Sequence, residues 1–181
     1  ISTGASAADV RFRCIPELAE AVFCEATLVN PLPHPLLPGP VTLITDGGTG
    51  GIGEIPFVAP GERFPISFGS QDDLSVRYFR EADIEERFGL SDHRWLLQRA
   101  EITNTGAEDR TIALLLRVPV SELAQVKIIL DRDRYSSAGL EGPDEQGFAR
   151  FSVTVRPGET ERRTVAFRVE KARNVQLGAF W

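Results

Sequence analysis

Hydrophobic and polar residues alternate with period two along most of this chain, the pattern of strands that bury one face. Val10, Phe12 and Cys14 alternate with Arg11 and Arg13, and Phe64, Ile66 and Phe68 with Arg63, Pro65 and Ser67. Phe151, Val153 and Val155 alternate with Arg150, Ser152 and Thr154, and Val165, Phe167 and Val169 with Thr164, Ala166 and Arg168. Further strands are predicted at about 21–29, 41–45, 52–57, 74–80, 95–103, 110–118 and 125–130. No segment keeps a helical period. Short helical turns fit only 81–88 and 121–124, where Ser121 supplies a cap.

Turn residues separate these runs. Pro38-Gly39, Pro60-Gly61 and Pro157-Gly158 supply the proline-then-glycine pair of type II turns. Asp46-Gly47 suits a tight hairpin, and so does Asn104-Thr105-Gly106. Pro143 and Gly147 mark a longer loop at about 132–147. Many short strands punctuated in this way predict an all-β protein of the sandwich or barrel kind. The reading adopted is a β-sandwich. Residues 73–181 form an immunoglobulin-like part and residues 1–72 a packed N-terminal β subdomain. The boundary is placed at the acidic stretch Ser70-Gln71-Asp72-Asp73. The strands before it make a thin unit that needs the rest to pack against, so the two parts also read as one continuous unit. Pro60-Gly61-Glu62 and Pro157-Gly158-Glu159 each precede a strand. Shared turn chemistry accounts for this recurrence, and two related β units would account for it as well.

With 181 residues the chain can bury roughly 70% of its extended surface. Its 42% hydrophobic and 25% charged residues are ordinary for a water-soluble fold. The longest apolar runs, such as Ile112 to Leu116, are too short to span a bilayer, so membrane insertion is not expected. A net charge of −6 argues against nucleic acid, whose phosphates need a basic patch. The chain starts at Ile1 and has no Met, and is expected to be a piece of a longer protein.

No motif points to catalysis, a cofactor or a metal. Gly48-Thr49-Gly50-Gly51-Ile52-Gly53 matches the dinucleotide pattern, but Glu54-Ile55-Pro56 follows where a helix must begin. A glycine-rich hairpin loop is the better reading. Asp131-Arg132-Asp133 begins like a calcium loop, then offers Tyr135 and Ser136 where further ligand and glycine positions are needed. His34 is wedged between prolines; His93, after Asp92, is the better candidate base but lies at a strand entrance. Cys14 and Cys24 are in phase with the core side of neighbouring strands. They read as two buried thiols, with a disulfide between them as the alternative.

The run Ala26-Thr27-Leu28-Val29-Asn30-Pro31, followed by Leu36-Leu37-Pro38-Gly39-Pro40-Val41, resembles a signature of the C-terminal domain of unknown function of the mucoidy-inhibitor A family. Gly51 to Pro56, Pro60 to Phe64, Ser67-Phe68-Gly69, Ile102-Thr103-Asn104, Val118 to Ser121, Gly147 to Phe151 and Pro157-Gly158-Glu159 follow in the same order. The resemblance implies a β-rich domain attached to a coiled coil in a larger bacterial protein. It also implies a link to mucoid exopolysaccharide regulation, so the envelope or periplasm is favoured over the cytoplasm. It brings no catalytic residue. The stretch 80–95 departs from the basic hairpin common in that family, being acidic and mixed here.

The function expected is a non-enzymatic protein-interaction or assembly module. Its partner would be another protein or other domains of its own chain, and the coiled coil would add a route to oligomers. The surface expected to carry this is the glycine-rich loop Asp46, Gly47, Gly48, Thr49, Gly50 and Gly51, with the loop 132–147 beside it. Leu36 and Leu37 are expected to anchor a turn to the core. A polysaccharide-binding sandwich is the alternative and requires exposed aromatics, with Trp95, Tyr135 and Trp181 as candidates. A hydrolase using His93 and scattered carboxylates is the second.

Overall fold

The computed structural model describes residues 3–45, 48–88, 91–121 and 125–172. These form ten strands and no helix: β1 (Asp9–Cys14), β2 (Ala21–Val29), β3 (Gly39–Thr45), β4 (Gly48–Ile55), β5 (Arg63–Phe88), β6 (Ser91–Asn104), β7 (Arg110–Arg117), β8 (Val126–Leu130), β9 (Phe148–Val155) and β10 (Thr160–Ala172). The protein is all-β, as the alternation predicts. Residues 81–88 lie in β5, not in a helical turn. Their pairing with β6, from Glu81 opposite Leu97 to Phe88 opposite Ser91, overrides the weak local preference. Of the turn expected at 121–124, all but Ser121 lies outside the described residues.

Eight strands form one sheet in the order β8-β10-β6-β5-β2-β1-β7-β9, and β3 and β4 form a separate pair. Every pairing is antiparallel except β1 with β7. The sheet curls until β9 lies against β10 and β6. The described residues thus form one curled eight-stranded sheet and a small two-stranded one. The strand that makes this continuity is β5. Its first part, Arg63–Ser70, pairs with β2, which it meets once more at Ser75 opposite Ala21, while Leu74–Phe88 pairs with β6. The hand-over falls at the acidic stretch 70–73, next to Gly69 at φ +81 and to register shifts opposite Ala21–Glu25. Such irregularities bend a strand and raise its twist. Pro65 stands before β6 begins to pair, so its missing N–H removes no bond of that ladder.

The curl encloses the main core. Phe151, Phe167, Ile102, Ile112, Leu114 and Val165 are among its fully buried side chains. Register places Leu114 opposite Phe151 and Ile112 opposite Val153. Cross-strand hydroxyl pairs, Thr103 with Thr160 at 2.8 Å and Thr111 with Thr154 at 3.0 Å, mark the exposed faces of the same ladders. A smaller core joins the pair β3–β4 to the sheet, through Leu43, Ala26 and Ile66 with Val41, Ile55, Leu28 and Phe68 packed around them. Among the described residues three polar side chains are buried: Asn30, Gln98 and Asn104.

Candidate interaction surface

The glycine-rich segment is a strand rather than a loop. Gly48 to Gly51, expected at a loop tip, lie in β4, and Asp46 and Gly47 fall outside the described residues. The dinucleotide pattern is therefore spent on an antiparallel ladder in which Val41 faces Gly53 and Leu43 faces Gly51. The glycines leave the inner face of β4 bare, so Leu43 and Val41 lean over it. A Cβ on Gly53 would meet Leu43 Cδ1 at 3.5 Å and Val41 Cγ2 at 3.7 Å, ordinary contact distances. Gly51 has φ +115, which side-chain-bearing residues rarely adopt, and the extra residue in the ladder beside it lets β4 bulge.

With the inner face packed on β2 and β5, the outer face of the hairpin meets solvent. It carries Thr42, Ile44 and Ile52, with Ile52 directly opposite Thr42. Ile44 is 74% exposed and Ile52 79% exposed, values out of character for isoleucine on a packed strand. Leu37 and Phe57, at the foot of the same hairpin, are 73% and 54% exposed. Leu37 therefore does not anchor the turn. Leu36 does so with its backbone, exchanging hydrogen bonds with Val58 at 2.9 and 3.1 Å while its side chain is half-buried.

The segment 131–147 is tied down along its length. The Asp131 carboxylate accepts the backbone N–H groups of Arg134, Tyr135 and Ser136, the closest at 2.7 Å. Its lone pairs hold a turn, as an Asx motif does. Ser136 Oγ accepts the Ala166 N–H and Ser137 Oγ the Thr164 N–H, each at 2.9 Å, covering the β10 edge beyond β8. Arg132 donates to the carbonyls of Leu140 and Gly142. Glu141 and Arg150 exchange backbone bonds at 2.9 and 2.8 Å, which covers part of the β9 edge. Glu141, Gly142, Asp144, Phe148 and Arg150 line an open cavity of about 170 Å³ there. A second shallow cavity, about 150 Å³, lies between Arg13, Phe23, Glu25 and the turn residues Ile15, Leu18 and Ala19.

Among the described residues, the aromatic candidates Trp95 and Tyr135 pack against each other. Trp95 is buried and meets Tyr135 edge-on at 5.1 Å and 67°. The Arg168 guanidinium lies 5.5 Å above Trp95 and Arg134 lies 4.8 Å from the Tyr135 ring, so the faces a sugar would stack on are in use. Trp181 and the side chain of His93 lie outside the described residues. His34 is exposed, and its carbonyl accepts the Asn30 amide at 3.1 Å. Among the described residues no three His, Cys, Asp or Glu side chains gather as metal ligands would.

The two cysteines are free thiols. Cys14 faces Val22 and Cys24 faces Phe12, which makes them diagonal neighbours on the β1–β2 ladder. Diagonal positions stand about 7–8 Å apart, beyond the Cα separation of about 4.4–6.8 Å that a disulfide usually spans. The structure therefore has no bridge between them, against the disulfide alternative, and Cys24 is half-buried rather than buried. Burial pushes the Cys14 thiol up to about 12, and burial also raises Cys24.

Sequence reading missed the buried asparagines. Each closes a strand and precedes a loop of turn formers, and that was the available signal. No family model, no curated protein and no solved structure matches this chain.

Proposed function

We propose that this domain is a non-enzymatic protein-interaction or assembly module whose contact surface is the outer face of the β3–β4 hairpin. The observation that carries the reading is the exposure of Ile44 and Ile52 on a strand pair whose opposite face is packed. A hairpin fixed in this way presents its apolar side chains with little ordering left to lose. Burying two isoleucines is worth about 3–6 kcal/mol. That is less than most estimates of the cost of association, about 4–15 kcal/mol. The isoleucines are therefore anchors within a wider contact that also takes in Leu37 and Phe57.

The resemblance to the mucoidy-inhibitor A family supports a setting in a larger, envelope-associated bacterial protein. The partner is then another envelope protein or another domain of the same chain. The experiment is affinity capture from lysate and envelope fractions, with the Ile44→Ser/Ile52→Ser double variant in parallel. A saturable partner retained by the parent and lost by the variant, with unchanged melting temperature, is the expected result. Equal capture by both would remove the hairpin face from the reading.

A further inference from the structure

Asn30 and Asn104 share a set of bonds in two places, to which the Asn30 amide adds one donation, to Ala59 O at 3.2 Å. The Asn30 backbone N–H donates to Glu62 O at 2.9 Å and its carbonyl accepts from Gly61 N–H at 2.9 Å; Asn104 donates to Glu159 O at 3.0 Å and accepts from Gly158 N–H at 2.8 Å. The Asn30 side-chain amide donates to Val58 O at 3.2 Å and to His34 O, four residues on, at 3.1 Å. The Asn104 amide donates to Val155 O at 2.9 Å and to Glu108 O, again four residues on, at 2.7 Å. Each Oδ1 accepts the N–H two residues on, from Leu32 at 3.1 Å and from Gly106 at 2.9 Å. The bonded turns are Val58-Ala59-Pro60-Gly61-Glu62 and Val155-Arg156-Pro157-Gly158-Glu159, with both glycines at φ +76.

The correspondence runs outward from these clasps. Leu36 bridges Val58, six residues past Asn30; Arg110 pairs with Val155, six past Asn104. Ala26 lies between Val10 and Ile66, and Ala100 between Tyr78 and Arg163, each four residues before its asparagine. The strand triplet β1-β2-β5 (first part) thus matches β5 (second part)-β6-β10 in order and direction, and β2–β5 matches β6–β10 in register over Glu25–Val29 and Arg99–Thr103. In each case an antiparallel pair, β3–β4 or β7–β9, intervenes before the Pro-Gly-Glu turn. Shared turn chemistry explains a proline and a glycine. It does not explain why a buried amide reaches the same carbonyl, two residues before the proline, or why the five residues up to each asparagine pair in one register with the strand after the turn.

We infer that the chain is built from two copies of one β unit, the first ending at about 70 and the second beginning at about 74, fused through β5. This strand is the last of the first copy and the first of the second, which accounts for its 26 residues and for the break at Gly69 to Asp73. The copies diverge where they serve different ends: the second adds β8 and its anchored loop, while the first leaves its strand pair with an exposed apolar face.

The test is exchange of the two five-residue loops, Pro31–Pro35 and Thr105–Asp109, in the whole chain. Asn30→Ala and Asn104→Ala are made separately, and all are followed by amide hydrogen exchange. The loop-exchanged chain is expected to unfold in one transition within about 5 °C of the parent. Asn30→Ala is expected to lower protection at Leu32 and Gly61 at least tenfold while sparing Gly106 and Gly158, and Asn104→Ala to do the reverse. A loop-exchanged chain that loses its fold, or an Asn104→Ala chain that keeps full protection at Gly106 and Gly158, would overturn the inference.

Discussion

Cys14 is enclosed by the main core, and its thiol holds its proton up to about pH 12, from an ordinary value of 9.0. In the unfolded chain the same thiol ionises near its ordinary value. The neutral form is what the fold favours, so its contribution to stability is complete below about pH 9 and is lost as pH rises towards 12. Thiol labelling at pH 8 is expected to leave Cys14 unmodified in the native protein and to modify both cysteines after denaturation. Rapid native labelling at Cys14 would contradict its burial. Gly142 is a second residue with a definite expectation. It sits at φ +90, where a Cβ would meet Phe148 O at 2.8 Å and Asp144 N at 3.0 Å. Gly142→Ala is therefore expected to cost about 1–3 kcal/mol in denaturant unfolding. No such penalty is expected at Gly39, where a Cβ would meet nothing within 4 Å.

At the scale of elements, the hairpin β3–β4 separates packing from exposure. Leu43→Ala empties the small core between the hairpin and β2–β5, and is expected to lower stability by about 2–4 kcal/mol. Ile44→Ser and Ile52→Ser act on the solvent face, and each is expected to change stability by no more than about 0.5 kcal/mol. Denaturant titration of the three variants checks the contrast. The strands themselves were legible in the sequence because one buried face imposes strict alternation, as in Phe151-Val153-Val155. The stretch Arg80–Arg87 was not, because its charges mask the alternation and only its partner β6 makes it a strand. Leu37 misled for a related reason. Hydrophobicity gives no sign of which side of a proline-bounded turn meets the core. The glycines of β4 read as a loop because the sequence does not reveal that Val41 and Leu43 fill the space they leave.

At the scale of the molecule, strands distant in sequence depend on one another. The first strand, β1, is bonded to β2 on one side and to β7 on the other, and β5 joins both halves of the sheet. That arrangement was beyond the sequence, since a parallel pairing of Phe12–Cys14 with Ile112–Leu114 leaves no local mark. Removing residues 1–20 would strip an edge from β7 and from β2 and open the core at Cys14. Such a chain is expected to lose its cooperative melting transition rather than unfold in two steps. The central claim concerns the hairpin face, and the most direct measurement is an amide-exchange footprint of the domain with and without its captured partner. Protection gained over Gly39–Ile55, together with at least tenfold weaker binding by the Ile44→Ser/Ile52→Ser variant, is the predicted result. Protection confined to the segment 131–147, with the isoleucine variant binding as tightly as the parent, would contradict it.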